Sequence, residues 1–326
     1  MIQLKQKGFL LLTALASLSF TWGFFAHEHI NRLAVFTLPP SMIGFYKMHV
    51  EYLSEASVNP DKRRYAVKNE APKHYIDLEE YGDSAIHKLP RYWQEAVDSI
   101  GLDALMERGT VPWEIIRQYF LLKDAFLLYD PSKILRVSAE LGHYVADAHV
   151  PLHTTSNYDG QLTGQKGLHA FWESRLPELF FEEYNFLVGP ATYQRDVNRC
   201  AWQAVASANA ALDSVLQMER KLFAKRGEKK YSFETRGKQT VKVVAQNYAK
   251  EYHKLLDGMV ERQMRLSVKM VGDLWYTAWV DAGQPDLSKL MEYTPSAEEL
   301  AQREIELQKW KEESKNSRQD DHNNEH

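Results

Sequence analysis

Apolar side chains recur at helical rather than alternating spacing along most of this chain. In WEIIRQYFLLKDAFLLYD, Ile115, Ile116, Tyr119, Phe120, Leu122 and Phe126 fall close to a 3.6-residue period, which predicts a helix. Pro131 then suits the first turn of a second helix, whose apolar face carries Ile134, Leu135, Ala139 and Leu141. Two longer periodic segments follow, over roughly 191–225 and 236–281. No run of alternating strands and no internal repeat interrupts them. The pattern therefore predicts an all-α protein with a single multi-helix domain over 22–295. Beyond it, in 296–326, EELAQREIELQKWKEESK reads as a solvated helix and NSRQDDHNNEH as a disordered tail.

The N-terminus breaks the pattern. Lys5 and Lys7 precede GFLLLTALASLSF, a short apolar run followed by charged sequence. That order predicts a secretory signal over 1–21, and hence a periplasmic or secreted mature protein. A membrane anchor or a buried helix is the alternative. Hydrophobic residues make up 44% and charged ones 26% of the chain, the balance of a soluble globular protein. A formal net charge of −4 gives no basic footprint for tight duplex binding. It leaves open a nucleic-acid substrate whose phosphates are met by metal ions. Cys200 is the only cysteine, so disulfides within the chain are excluded and any metal must be held by His, Asp and Glu.

Those residue types cluster. Histidine occurs 12 times in 326 residues, yet HYVADAHVPLH (143–153) holds three of them around one carboxylate. His143 and Asp147 are four apart and project from one helix face. Pro151 stops that helix and leaves His153 in or just past the turn. GLHAFWESRLPE repeats the form with His169 and Glu173. Upstream lie His27, Asp61 and His74. A single such pair is commonplace on helix surfaces and worth only a few tenths of a kcal/mol. Two pairs with further candidates around them point to a divalent ion held by nitrogen and carboxylate ligands. His149 lies off the His143–Asp147 face and is expected beside the site or exposed. Asp77 is expected to orient His74 through a hydrogen bond, and Asp159 to form a turn with Gly160.

Taken in order, Trp-x4-His near the mature N-terminus, an Asp before a lone His, then H-x3-D-x5-H and H-x3-E resemble the zinc-dependent phospholipase C / P1 nuclease superfamily. The likeness runs from Trp22 to Glu173. It implies a mostly helical secreted hydrolase with three zinc ions. By that resemblance, Asp61, His74, His143 and Asp147 hold one zinc, and His153, His169 and Glu173 a second. The third is bridged by Asp147 and completed by His27 and by the backbone amine and carbonyl of Trp22. This last assignment requires cleavage after Thr21, whereas Ala14-Leu15-Ala16 is the better small-residue signal.

The resemblance implies hydrolysis of a phosphate ester, with Asp61 and Asp147 as the catalytic carboxylates and Asp61 a candidate general base. Zinc would lower the pKa of a water toward ~7. The substrate it implies is a phospholipid or a single-stranded nucleic acid, and a monomer with no stable protein partner is expected. Glu173 and the short gap from His153 to His169 resemble the lipases. The Trp22-to-His27 spacing and Pro151-Leu152-His153 resemble the nucleases, and the balance favours the lipase. Tyr144, Phe171 and Trp172 could stack a base or cage a choline head group, or lie in the core. A zinc-binding protein without turnover is the reading from another class.

Overall fold

A computed structural model describes residues 23–236 and 239–323 of the chain. Helix accounts for 72% and the described strands form one two-stranded sheet, so the protein is all-α as expected. The helices that build or brace the site are α1 (Phe24–Val35), the short α2 (Asn59–Arg63), α3 (Val111–Leu127), α4 (Pro131–Asp147), α5 (Val197–Arg226), α6 (Met259–Asp281) and α7 (Ala297–Asn323). None of the described helices is long and apolar enough to cross a membrane.

The centre of the molecule is α4, packed by α1, α3 and α6. Its start follows from local chemistry: Asp130 accepts the Lys133 amide at 2.9 Å, and Pro131 occupies the first turn, where its missing N–H costs nothing. From Val137 onward nearly every side chain is buried, because α4 meets helices on several sides. Trp275 on α6 donates its indole N–H to the Ser138 carbonyl at 3.0 Å, satisfying a group that water cannot reach.

Gly142 fixes how closely α1 approaches. A Cβ there would lie 2.1 Å from the side-chain oxygen of Asn31, so only glycine lets α1 sit this deep. The result is that His27 stacks on His143 with ring centroids 4.1 Å apart.

The segment expected to be helical over 236–281 is divided. Gln239–Val244 is the second strand of a hairpin whose first strand is Tyr231–Arg236, followed by a helix over Gln246–Leu255 and then α6. Thr240, Val241, Val243 and Val244 are the reason: β-branched residues favour a pleated backbone over a helix, and the window's average hid them. Strand one holds the helix end after Glu173 through an ion pair between Arg175 and Glu234. At the other end of the chain, α7 continues through Asn323, past the point where polar composition predicts a tail.

Candidate metal centre

The expected side-chain ligands converge. α1 supplies His27, α2 supplies Asp61, and a 3-10 turn over Ala71–His74 supplies His74. α4 supplies His143 and Asp147 from one face of its last turns. Pro151 opens a 3-10 turn over Pro151–Thr154, where His153 stands. His169 sits on a single helical turn (Leu168–Ala170) that passes into a π-helical turn over Phe171–Arg175, which carries Glu173. Such wide turns cluster at functional sites, and here the pair still meets at 2.9 Å. Trp22, and the whole 1–21 segment, lie outside the described residues. Gly23, the next residue, packs against Ser174, beside Glu173.

Three groups of ligand-type atoms can hold a metal ion: His74–His143–Asp147, His153–His169–Glu173 and His27–Asp61–His143. In the first, His74 Nδ1, His143 Nε2 and Asp147 Oδ2 form a triangle with edges of 2.9, 3.0 and 3.1 Å. Asp61 Oδ1 stands 3.7 and 3.8 Å from the two imidazole nitrogens. In the second, the edges among His153 Nε2, His169 Nε2 and Glu173 Oε2 are 2.9, 3.3 and 2.9 Å. A tetrahedral ion with bonds of ~2.0–2.1 Å separates its ligands by roughly 3.3 Å. With Asp61 included the first group spans that value, and the second lies at or just below it, so the residues of both fit a divalent cation. Asp61 belongs equally to the group with His27, so the structure shares this carboxylate between two positions rather than dedicating it to one.

Asp147 joins the parts. Its Oδ2 faces His74 and His143, while its Oδ1 faces His27 Nε2 at 3.5 Å and His153 Nδ1 at 3.3 Å. One carboxylate thus presents separate oxygens to separate clusters.

The electrostatics of the two main groups differ. Burial pushes the Asp147 carboxyl up to about 7, against the pull of His153. Burial also drives His27 and His74 well below the ordinary imidazole range and lowers His143, so these rings are neutral and can ligate. At Glu173 burial raises the carboxyl, but His169 and His153 more than reverse it and hold it at about 2. Burial lowers His169, yet Glu173 outweighs it and raises the imidazole. The Glu173 triad pairs its own charges, whereas burial favours the protonated form of Asp147, a position that a bound cation could occupy in place of the proton.

A cleft of about 280 Å³ reaches the centre, lined by His74, His153 and His169 and by residues the sequence did not single out. Arg64, Tyr75 and Tyr158 are among them. Arg64 is half-buried, and its positive charge acts on His74, Asp147 and His169. Its place three residues after Asp61 was the available signal. Asp77 also lines this cleft, and among the described hydrogen bonds none joins it to His74. Burial and the neighbouring Glu79 raise its carboxyl to about 7. Tyr144, Phe171 and Trp172 are core residues, at most 2% exposed, so the cleft's aromatic walls are others. His149 is buried, not exposed, and bonds the Val145 carbonyl at 2.8 Å. Asp159 does more than turn the chain: it accepts the Gly167 amide at 2.9 Å and the His169 amide at 3.3 Å, fixing the backbone that presents the ligand.

Neither a protein-family profile nor a curated protein matches this chain, so no relative lends the centre a function.

Proposed function

We propose that this protein is a zinc-dependent hydrolase of phosphate esters, related to the phospholipase C / P1 nuclease superfamily. The observation that carries the reading is the divided carboxylate of Asp147, whose two oxygens face different clusters of buried ligand atoms. Asp61, His74, His143 and Asp147 would hold one zinc, and His153, His169 and Glu173 a second. His27 and Asp147 would hold a third together with the backbone of Trp22, the neighbour of Gly23, which abuts Ser174. Nitrogen and oxygen donors without sulfur suit catalytic zinc. When bound, such ions acidify a water and offset the charge of a phosphate ester.

The chain's own groups supply the rest. Asp61, at the edge of its group, takes a proton from the attacking water. Arg64, in the cleft, meets the phosphate oxygens with N–H donors in a planar fork. Tyr75 and Tyr158 hold the remainder of the substrate against aromatic surface.

Phospholipase C-type cleavage is the favoured substrate reading. Asp77 on the cleft wall, with Glu79 bonded to Thr155 and Ser156 close by, suits a cationic head group better than a polyanion. Single-stranded nucleic acid is the second reading, favoured by tyrosine faces on which any base can stack. Purified, zinc-loaded protein offered phosphatidylcholine vesicles and single-stranded DNA in parallel decides between them. Phosphocholine release without nucleotides selects the lipase, and nucleotide release alone the nuclease. Turnover of neither, with zinc bound, replaces both by a non-catalytic zinc-binding protein.

A further inference from the structure

Beside the Asp147 group lies a second polar cluster that contributes no ligand. Arg63, half-buried on α2, donates to Glu140 at 2.7 and 3.2 Å and to the Tyr144 hydroxyl at 3.1 Å, and pairs with Glu70 at 3.0 Å. Tyr144 in turn donates to Glu70, and Lys73 pairs with Glu70 at 2.7 Å. Glu70 is 1% exposed, so its charge is stabilised by these partners rather than by water.

The members come from three segments, each of which carries a ligand. Arg63 is two residues from Asp61. Glu70 precedes the turn that ends in His74, and Lys73 lies within it. Glu140 and Tyr144 flank His143 on α4. The Tyr144 ring also lies edge-on to both His74 and His143, at 5.6 and 5.3 Å between centroids. Among the described residues, no hydrogen bond or ion pair joins a member to His153, His169 or Glu173.

We infer that Arg63, Glu70 and Tyr144 form a positioning clamp that sets the spacing of Asp61, His74 and His143, and so tunes the metal positions that use these three residues without touching the Glu173 triad. The inference rests on the metal-binding reading above. Its physical basis is that α2 and the Ala71–His74 turn are too short to hold a ligand by their own hydrogen bonds. A bidentate guanidinium shared by three acceptors fixes direction as well as distance. The clamp has an outer cover. On α7, the Trp310 ring lies 5.9 Å from the Arg63 guanidinium, and Ser314 donates to the Lys62 carbonyl at 3.3 Å. The terminal helix thereby braces a ligand segment far from it in sequence.

The test is stepwise removal of metal by a graded chelator, counting ions released from wild type, Tyr144→Phe, Arg63→Lys and Trp310→Ala. Tyr144→Phe keeps the ring and removes only the hydroxyl. Arg63→Lys keeps the charge but not the fork. Both are expected to release the ions that use Asp61, His74 and His143 at roughly tenfold lower chelator strength, as loss of a group orienting a ligand typically does, with the ion of the Glu173 triad unmoved. Trp310→Ala should shift the same release by a smaller factor. Equal weakening of every ion would mean general destabilisation and overturn the clamp, as would no shift in any variant. Wild-type protein that binds no ion removes the functional reading and the clamp with it.

Discussion

The Asp147 group and the Glu173 triad are built from the same side chains and solve opposite problems. The triad stands on short turns, Pro151–Thr154 and Leu168–Arg175, and is internally compensated: Glu173 sits at about 2 because His169 and His153 face it. The Asp147 group stands partly on the buried end of α4, and its carboxyl is pushed up to about 7 among imidazoles that burial keeps neutral. A triad that satisfies its own charges persists without an ion. A buried carboxyl that cannot do so is relieved by a proton or by a bound cation in the proton's place. The rigid clamp of Arg63, Glu70 and Tyr144 lies beside the second kind, where misplaced ligands would cost most.

The contrast can be broken at its link. Asp147→Asn keeps the shape and removes the charge that both clusters use. Hydrolysis should fall at least as far as the roughly 10²–10³-fold lost with one transition-state-stabilising group, and more than one ion should be lost. Steady-state rates with elemental analysis check both, and retained activity would sink the bridging role. Gly142→Ala comes next, because its Cβ would fall 2.1 Å from Asn31 and force α1 outward. Overpacking of this kind typically costs 1–3 kcal/mol, so melting should drop while His27 loses its place against His143. A Gly142→Ala protein with wild-type melting would contradict the close approach.

The triad is tested more gently. Asp159→Ala removes the acceptor of the Gly167 and His169 amides, and should weaken the triad's ion about tenfold in a competition titration while leaving the Asp147 group intact. Smallest is Tyr158→Ala on the cleft wall, expected to raise KM several-fold with a lesser effect on kcat, since its ring faces the cleft and meets His169 only edge-on, with centroids 5.7 Å apart.

Much of this centre was legible in the sequence because helical spacing is a local rule. His143 with Asp147, and His169 with Glu173, are side by side for no reason beyond being four apart. The stop at Pro151 placed His153 correctly in the turn. What could not be read depends on packing between distant segments. Gly142 gives no hint of Asn31, nor Arg63 of Glu70 and Tyr144. Arg64 and Tyr75 adjoin expected ligands, but only the fold turns them into one cleft. The hairpin was missed because its β-branched residues were averaged into a long helical window. The aromatics nearest the ligands in sequence, Tyr144 and Trp172, are buried, since a helix that carries ligands on one face packs its core on the others.

The most direct test is the metal content of the purified protein, taken by elemental analysis before and after dialysis against a weak chelator. The account predicts three zinc ions per chain, with hydrolysis lost when zinc is stripped and regained when it is restored. Protein that carries no zinc, cannot be loaded with it, and melts at the same temperature with and without it would contradict the account.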